Sequence, residues 1–152
     1  MTSQMFSRIL VGVDDSPAAL GAAGVAVDLA GLCRAHLRFV HVIGDGELVR
    51  ALARLGHDGE MDATRSGAAD SLLRHVVAEA HRAGVRADTA SLSGEPAALL
   101  LGVAREWDAD LVVLGRSDLR RAGLGYVGAV TREVLEFSEI AVLVVPTSPA
   151  PA

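Results

Sequence analysis

Short apolar runs alternate along this chain with longer segments whose apolar residues recur at three and four residues, and this alternation restricts the fold more than any other feature. The runs are Arg8 to Val13, Leu37 to Val42, the less apolar and half-buried Val85 to Leu92, Leu111 to Leu114, and Ala141 to Val145. Between them lie four helical segments. The first, Pro17 to Cys33, has Ser16 as its N-cap and Pro17 at the first helical position, where a missing N–H costs nothing. In the second, Ala69, Leu72, Leu73, Val76, Val77 and Ala80 share one face, and Gly84 supplies the stop. Gly94, Glu95 and Pro96 open the third, which buries Leu99, Leu100, Val103, Ala104 and Trp107. The last carries Val127, Val130, Val134 and Phe137. Five strands and four helices in the order βαβ(loop)αβαβαβ predict an α/β fold, an open doubly wound parallel sheet. Right-handed crossovers then set helices on both faces.

The chain has 152 residues, which favours one domain spanning 1–152, with a core at about 7–146. The tail 147–152 is expected to fray, since three of the last seven residues are proline. The stretch from Gly44 to Arg65 has the weakest pattern. We expect a mobile excursion there, with a helical turn around Leu48 to Leu55. At 51% hydrophobic residues the chain is too apolar to be disordered throughout.

Charge removes several functions. Fourteen basic against nineteen acidic residues give a net charge of -5, whereas a nucleic-acid binder needs a basic face. Every basic residue is arginine; the chain has no lysine and no asparagine. A Schiff-base lysine, a P-loop lysine and N-glycosylation are thereby excluded. The single cysteine, Cys33, forms no intramolecular disulfide, which fits a reducing cytoplasm. Met1 to Ser7 lack the pattern of a signal peptide. Pro17 to Cys33 reads as a buried soluble helix and not as a membrane span: it is built of Ala and Gly, and Asp28 near a bilayer centre would cost about 2.5–3.5 kcal/mol.

In doubly wound sheets ligands collect beyond the carboxyl ends of the strands, where the strand order reverses. Those ends are Asp14, Val42 and Gly115. The segment LVVLG-RSDLRRAGLGYVG-AVTREVL is a buried strand ending in Gly115, then a loop, then Gly128 opening a helix. A helix start presents unpaired N–H groups and a positive dipole end, so it can hold a phosphate where glycine lets the backbone come close. The bland reading is an ordinary strand-to-helix loop.

With ILVGVDDS at the start, HVI near the middle, SGEPAALLLGVAREWDADLVVLG and the closing AVLVVP, the chain resembles the universal stress protein family over essentially its whole length. The resemblance implies a strand order of 3-2-1-4-5, a stress-response role and, as in the nucleotide-binding members, a Gly-x2-Gly-x9-Gly-Ser/Thr loop holding the phosphates of ATP, with or without Mg2+. By position, Asp14 would face adenine or ribose, the backbone of Val42 would read the adenine edge, and Gly115, Gly128, Ala129 and Val130 would line the phosphates. The final strand, Ala141 to Val145, would lie at a sheet edge, and the family pattern implies a homodimer through antiparallel pairing of these strands across a two-fold axis.

Two positions depart from the loop pattern. Asp118 stands where the second glycine is expected and Ala129 where the hydroxyl is expected. Losing the hydroxyl removes one hydrogen bond, about 0.5–1.5 kcal/mol net. A carboxylate about 5 Å from a phosphate charge is repelled by roughly 3 kcal/mol at an effective dielectric near 20. Arg116, Arg120 and Arg121 would offset this by reaching the phosphates, or close the loop without ligand by pairing with Asp118, or remain solvated charges. Two readings therefore stand: an ATP-binding protein, and a dimeric interaction module of the same fold with its site closed.

Other residues favour structural readings. Asp15 is expected to help cap the first helix, His41 to be an ordinary half-buried histidine near the adenine end of its strand, and Cys33 a small apolar filler. His57, Asp58, Glu60 and Asp62 lack the calcium-loop spacing. Ser117, in Gly-Arg-Ser-Asp-Leu, fails the nucleophile-elbow pattern. No catalytic residue is assigned, and at most slow ATP hydrolysis is expected.

Overall fold

The computed structural model describes residues 5–14, 16–44, 59–116, 120–121, 124–125 and 127–146. In chain order these form β1 (Arg8–Gly12), α1 (Pro17–Cys33), β2 (His36–Gly44), α2 (Gly59–Arg82), β3 (Ala87–Gly94), α3 (Pro96–Glu106), β4 (Leu111–Gly115), the two-residue strands β5 (Arg120–Arg121) and β6 (Leu124–Gly125), α4 (Ala129–Phe137) and β7 (Ala141–Val145). The main sheet has five parallel strands in the order β3-β2-β1-β4-β7, which is 3-2-1-4-5 when its strands alone are counted. β5 and β6 form a separate antiparallel hairpin.

β1 after Arg8, and β4, are apolar because each of their faces meets a helical layer, while β2 adds His36, Arg38 and His41. Ile9, Val11, Leu37, Phe39, Leu111 and Val113 pack with α1 and α2. Leu10, Val40, Val112 and Leu114 pack with α3 and α4. α1 turns an alanine face to the sheet, with Ala18, Ala19, Ala22, Ala23, Ala26 and Ala30 all buried. Small side chains let that helix lie close. The expected start chemistry holds: the Ser16 hydroxyl accepts a 3.1 Å hydrogen bond from Ala19 N–H, with Pro17 in the first turn. The Glu95 carboxylate accepts from Ala98 N–H at 3.3 Å in the same way for α3. No helix of the described residues is long and apolar enough to cross a membrane.

Several boundaries differ from the sequence reading. α2 starts at Gly59, ten residues before Ala69, so the end of the expected excursion is helical. Glu60 and Asp62 fall in its first turn. Residues 45–58, with the turn proposed at Leu48 to Leu55, lie outside the described residues. β3 begins at Ala87 and not at Val85, because Val85 plugs the preceding turn: it is 5% exposed and its N–H donates to Ala80 O. β2 extends to Gly44, held by pairing with β3 through Gly44 and Gly94. α4 starts two residues after Val127, and Phe137 at its end is 65% exposed while Val134 is fully buried.

Among the described residues Phe39 is the largest of the fully buried side chains. Phe39→Ala is expected to lower unfolding stability by about 3–5 kcal/mol through lost transfer energy and the cavity left behind. Urea unfolding measures it, as a lower midpoint at an unchanged slope.

Candidate functional site

Because the sheet is parallel, the carboxyl ends of its strands share one pole, and the order reverses between β1 and β4. Asp14 follows β1. Its Oδ1 accepts a 2.8 Å hydrogen bond from Ser16 N–H, folding the chain back into α1 while the residue stays exposed. β2 outruns β1 at this pole. Val13 N–H donates to Val40 O at 2.9 Å, so the peptide groups of Val42, two residues further on, turn to the same side, where β1 has ended. The Val42 side chain packs on the α3 and α4 layer.

Gly115 is the hinge of the pole. A Cβ placed on it would fall 2.6 Å from the carbonyl carbon and oxygen of Ala18 and 2.9 Å from Ala19 N, which are backbone atoms of the first turn of α1. Its own carbonyl accepts a 3.2 Å hydrogen bond from Thr131 Oγ1 in the first turn of α4. The starts of α1 and α4 therefore meet at Gly115, and Asp14, Gly115, Gly128, Ala129 and Val130 lie at one end of the molecule. At Gly12 an added Cβ would instead meet a side-chain methyl, Leu114 Cδ2, at 2.6 Å.

Gly128 caps α4 without a side-chain hydrogen bond, whereas Ser16 and Glu95 each supply one to their helices. Arg116 follows Gly115: its N–H donates to Val145 O at 2.8 Å, the residue is half-buried, and its Nε is buried without a hydrogen-bond partner. A buried donor left unpaired carries a desolvation cost that an acceptor would remove. Arg116 forms no ion pair among the described residues.

Of the remaining expectations, Asp15, Ser117 and Asp118 lie outside the described residues, as do His57 and Asp58. For Arg120 and Arg121 the backbone alone is described, in β5. His41 is half-buried and its Nδ1 lacks a partner. It shares the sheet face of Phe39, opposite the Val42 side chain. Cys33 is half-buried against the α1 and α2 core layer. No group of three or more metal-ligating side chains occurs among the described residues. Thr131, which ties α4 to Gly115, carried no expectation. Its only signal was a hydroxyl in the helix turn that follows Gly128.

The universal stress protein family model matches residues 5–146. The universal stress protein YxiE of Bacillus subtilis is 29% identical over 148 residues, covering 93% of this chain and 99% of that protein. The universal stress protein Sll1388 of Synechocystis is 34% identical over 73 residues, 48% of this chain, and the match spans 47% of that protein's own length. Among solved structures, a universal stress protein in complex with cAMP superposes with a TM-score of 0.66 at 25% identity, covering 94% of this chain and 98% of that one.

Gly115→Ala forces β4 away from an unyielding backbone and is expected to cost about 1–3 kcal/mol. Gly12→Ala, which meets a methyl group able to rotate aside, should cost less. Parallel denaturant titrations of the two variants measure the ordering, and equal losses would contradict it.

Proposed function

Because the chain belongs to the universal stress protein family, we propose that it is a stress-response protein that binds an adenine nucleotide, ATP in the first instance, at the carboxyl ends of strands 1, 2 and 4 of the main sheet. One observation carries this reading: the Nε of Arg116, the residue after Gly115, is buried without a hydrogen-bond partner, at the strand end whose Gly115 carbonyl is bonded by Thr131 of α4. That Nε is a donor lacking an acceptor, and a phosphate supplies several. In this reading Gly128, Ala129 and Val130 present amides to the phosphates, Arg116 adds its guanidinium, and Asp14 and the backbone of Val42 meet the nucleoside. The complex of the related protein with cAMP supports the ligand class. The role is binding and signalling, with slow hydrolysis at most, in the cytoplasm.

Asp118 at the second glycine position favours the competing reading, in which the loop is closed and the fold serves protein interaction. Isothermal titration with ATP and Mg2+ separates the two. Nucleotide binding predicts saturable heat at millimolar ligand or below. Asp118→Gly combined with Ala129→Ser should then tighten binding by about two orders of magnitude, the fold-change of a 3 kcal/mol repulsion. Heat only in the double variant supports the closed module, and heat in neither protein overturns both readings.

We further propose a homodimer through β7. The carbonyl of Val145 faces β4, so by alternation the peptide groups of Val142 and Val144 face the open edge. Val144→Pro removes one outward N–H at a position where an edge strand tolerates proline. Sedimentation equilibrium should show a dimer for the parent chain and a folded monomer for this variant.

A further inference from the structure

Of the nine residues of α4, two are buried: Thr131 in the first turn and Val134 in the next. Val134 shares the apolar layer of Val112 and Leu114. Thr131 differs in kind. Among the described residues it is the one polar or charged residue that is buried, at 6% exposure. A buried hydroxyl costs free energy unless it finds a partner. Its partner lies outside its own helix, at the carbonyl of Gly115, 3.2 Å away and 16 residues earlier in the chain.

The direction of that carbonyl follows from the strand it ends. Arg116 N–H donates to Val145 O, toward β7. The peptide joining Gly115 to Arg116 is trans, so its C=O points the opposite way, to the side of β1. β1 pairs with β4 only as far as Val11 and Val113 and ends at Gly12, so no strand receives the Gly115 oxygen. It is an acceptor aimed where the strand order reverses. Left open, it would present partial negative charge to an anion entering there. The Thr131 hydroxyl engages this oxygen and, in the same bond, ties down the first turn of α4.

Gly115 is thus gripped by two helix starts. The backbone of Ala18 and Ala19 in α1 closes over its Cα, and Thr131 of α4 holds its carbonyl. α1 has its own cap in Ser16, whereas Gly128 gives α4 no side-chain cap. Valine has the shape of threonine and would fill the same space. The hydroxyl adds the bond alone.

We infer that Thr131 is a positioning residue for the proposed nucleotide site. By holding α4 to the Gly115 carbonyl it presets the amides of Ala129 and Val130 for phosphate, and it engages an oxygen that would oppose the ligand. Presetting lowers the ordering cost that binding otherwise carries. The inference rests on the nucleotide reading above.

Thr131→Val and Thr131→Ser separate positioning from packing: the first keeps the shape and drops the hydroxyl, the second keeps the hydroxyl and drops a methyl. Both are expected to lower unfolding stability, so a merely structural role would weaken ATP binding in both or in neither. Isothermal titration with ATP and Mg2+ is run where circular dichroism shows both variants folded. Positioning predicts about tenfold weaker binding for Thr131→Val and a parent-like constant for Thr131→Ser. Without nucleotide, the 15N-labelled valine variant should shift the Arg116 amide, which shares a peptide with the Gly115 carbonyl, and the serine variant should leave it in place. If only the chain carrying Asp118→Gly and Ala129→Ser binds ATP, the same pair of substitutions is read in that background. Parent-like affinity in Thr131→Val, equal losses in the two variants, or an unmoved Arg116 amide overturns the inference and leaves the nucleotide reading standing. Heat in neither the parent nor that background overturns both.

Discussion

The architecture turns on how closely α1 lies against the sheet. Gly115 brings the end of β4 into backbone contact with the first turn of that helix, leaving no room even for a methyl group. Six buried alanines continue the close approach along its length. Larger residues on this face would push the helix outward and separate the turns that Gly115 now joins. The position of Asp14 and the entry of α4 both follow from that contact, since one precedes the helix cap and the other is hydrogen-bonded to Gly115.

This constraint also revises what the glycine signal meant. In the sequence, Gly115 read as a residue that lets a phosphate approach the backbone. In the structure, the demand for glycine is met by helix packing, whatever occupies the crevice. What points to a ligand is elsewhere: a guanidinium nitrogen buried without an acceptor and a helix start whose cap offers none. The glycine cap was legible, since Gly128 was read as opening the helix, but the burial of the Arg116 Nε leaves no pattern in a single sequence, because an arginine after a strand is common.

Legibility followed the range of the forces involved. α1 was read to the residue because Ser16 and Pro17 are local start signals and the helix is apolar from its first turn. The early turns of α2 were missed since apolar spacing begins only near Ala69, while the helix already runs from Gly59. Val85 carried the right hydrophobicity and the wrong role, sealing a turn instead of opening a strand. The β5 and β6 pair has two residues a side, too few for any alternation to register. The strand order came from the family resemblance and not from periodicity, which cannot say which parallel strand lies beside which.

The hydrogen bond from Arg116 N–H to Val145 O leaves the crevice and the outer edge of the sheet one peptide apart. That bond is the last rung of the ladder between β4 and β7. Thermodynamic linkage makes any influence of one on the other mutual: if occupancy changes the tendency of the edge to recruit another chain, recruitment changes the affinity for the occupant by the same factor. The bond thus places the proposed crevice and the proposed dimer edge within one rung of each other.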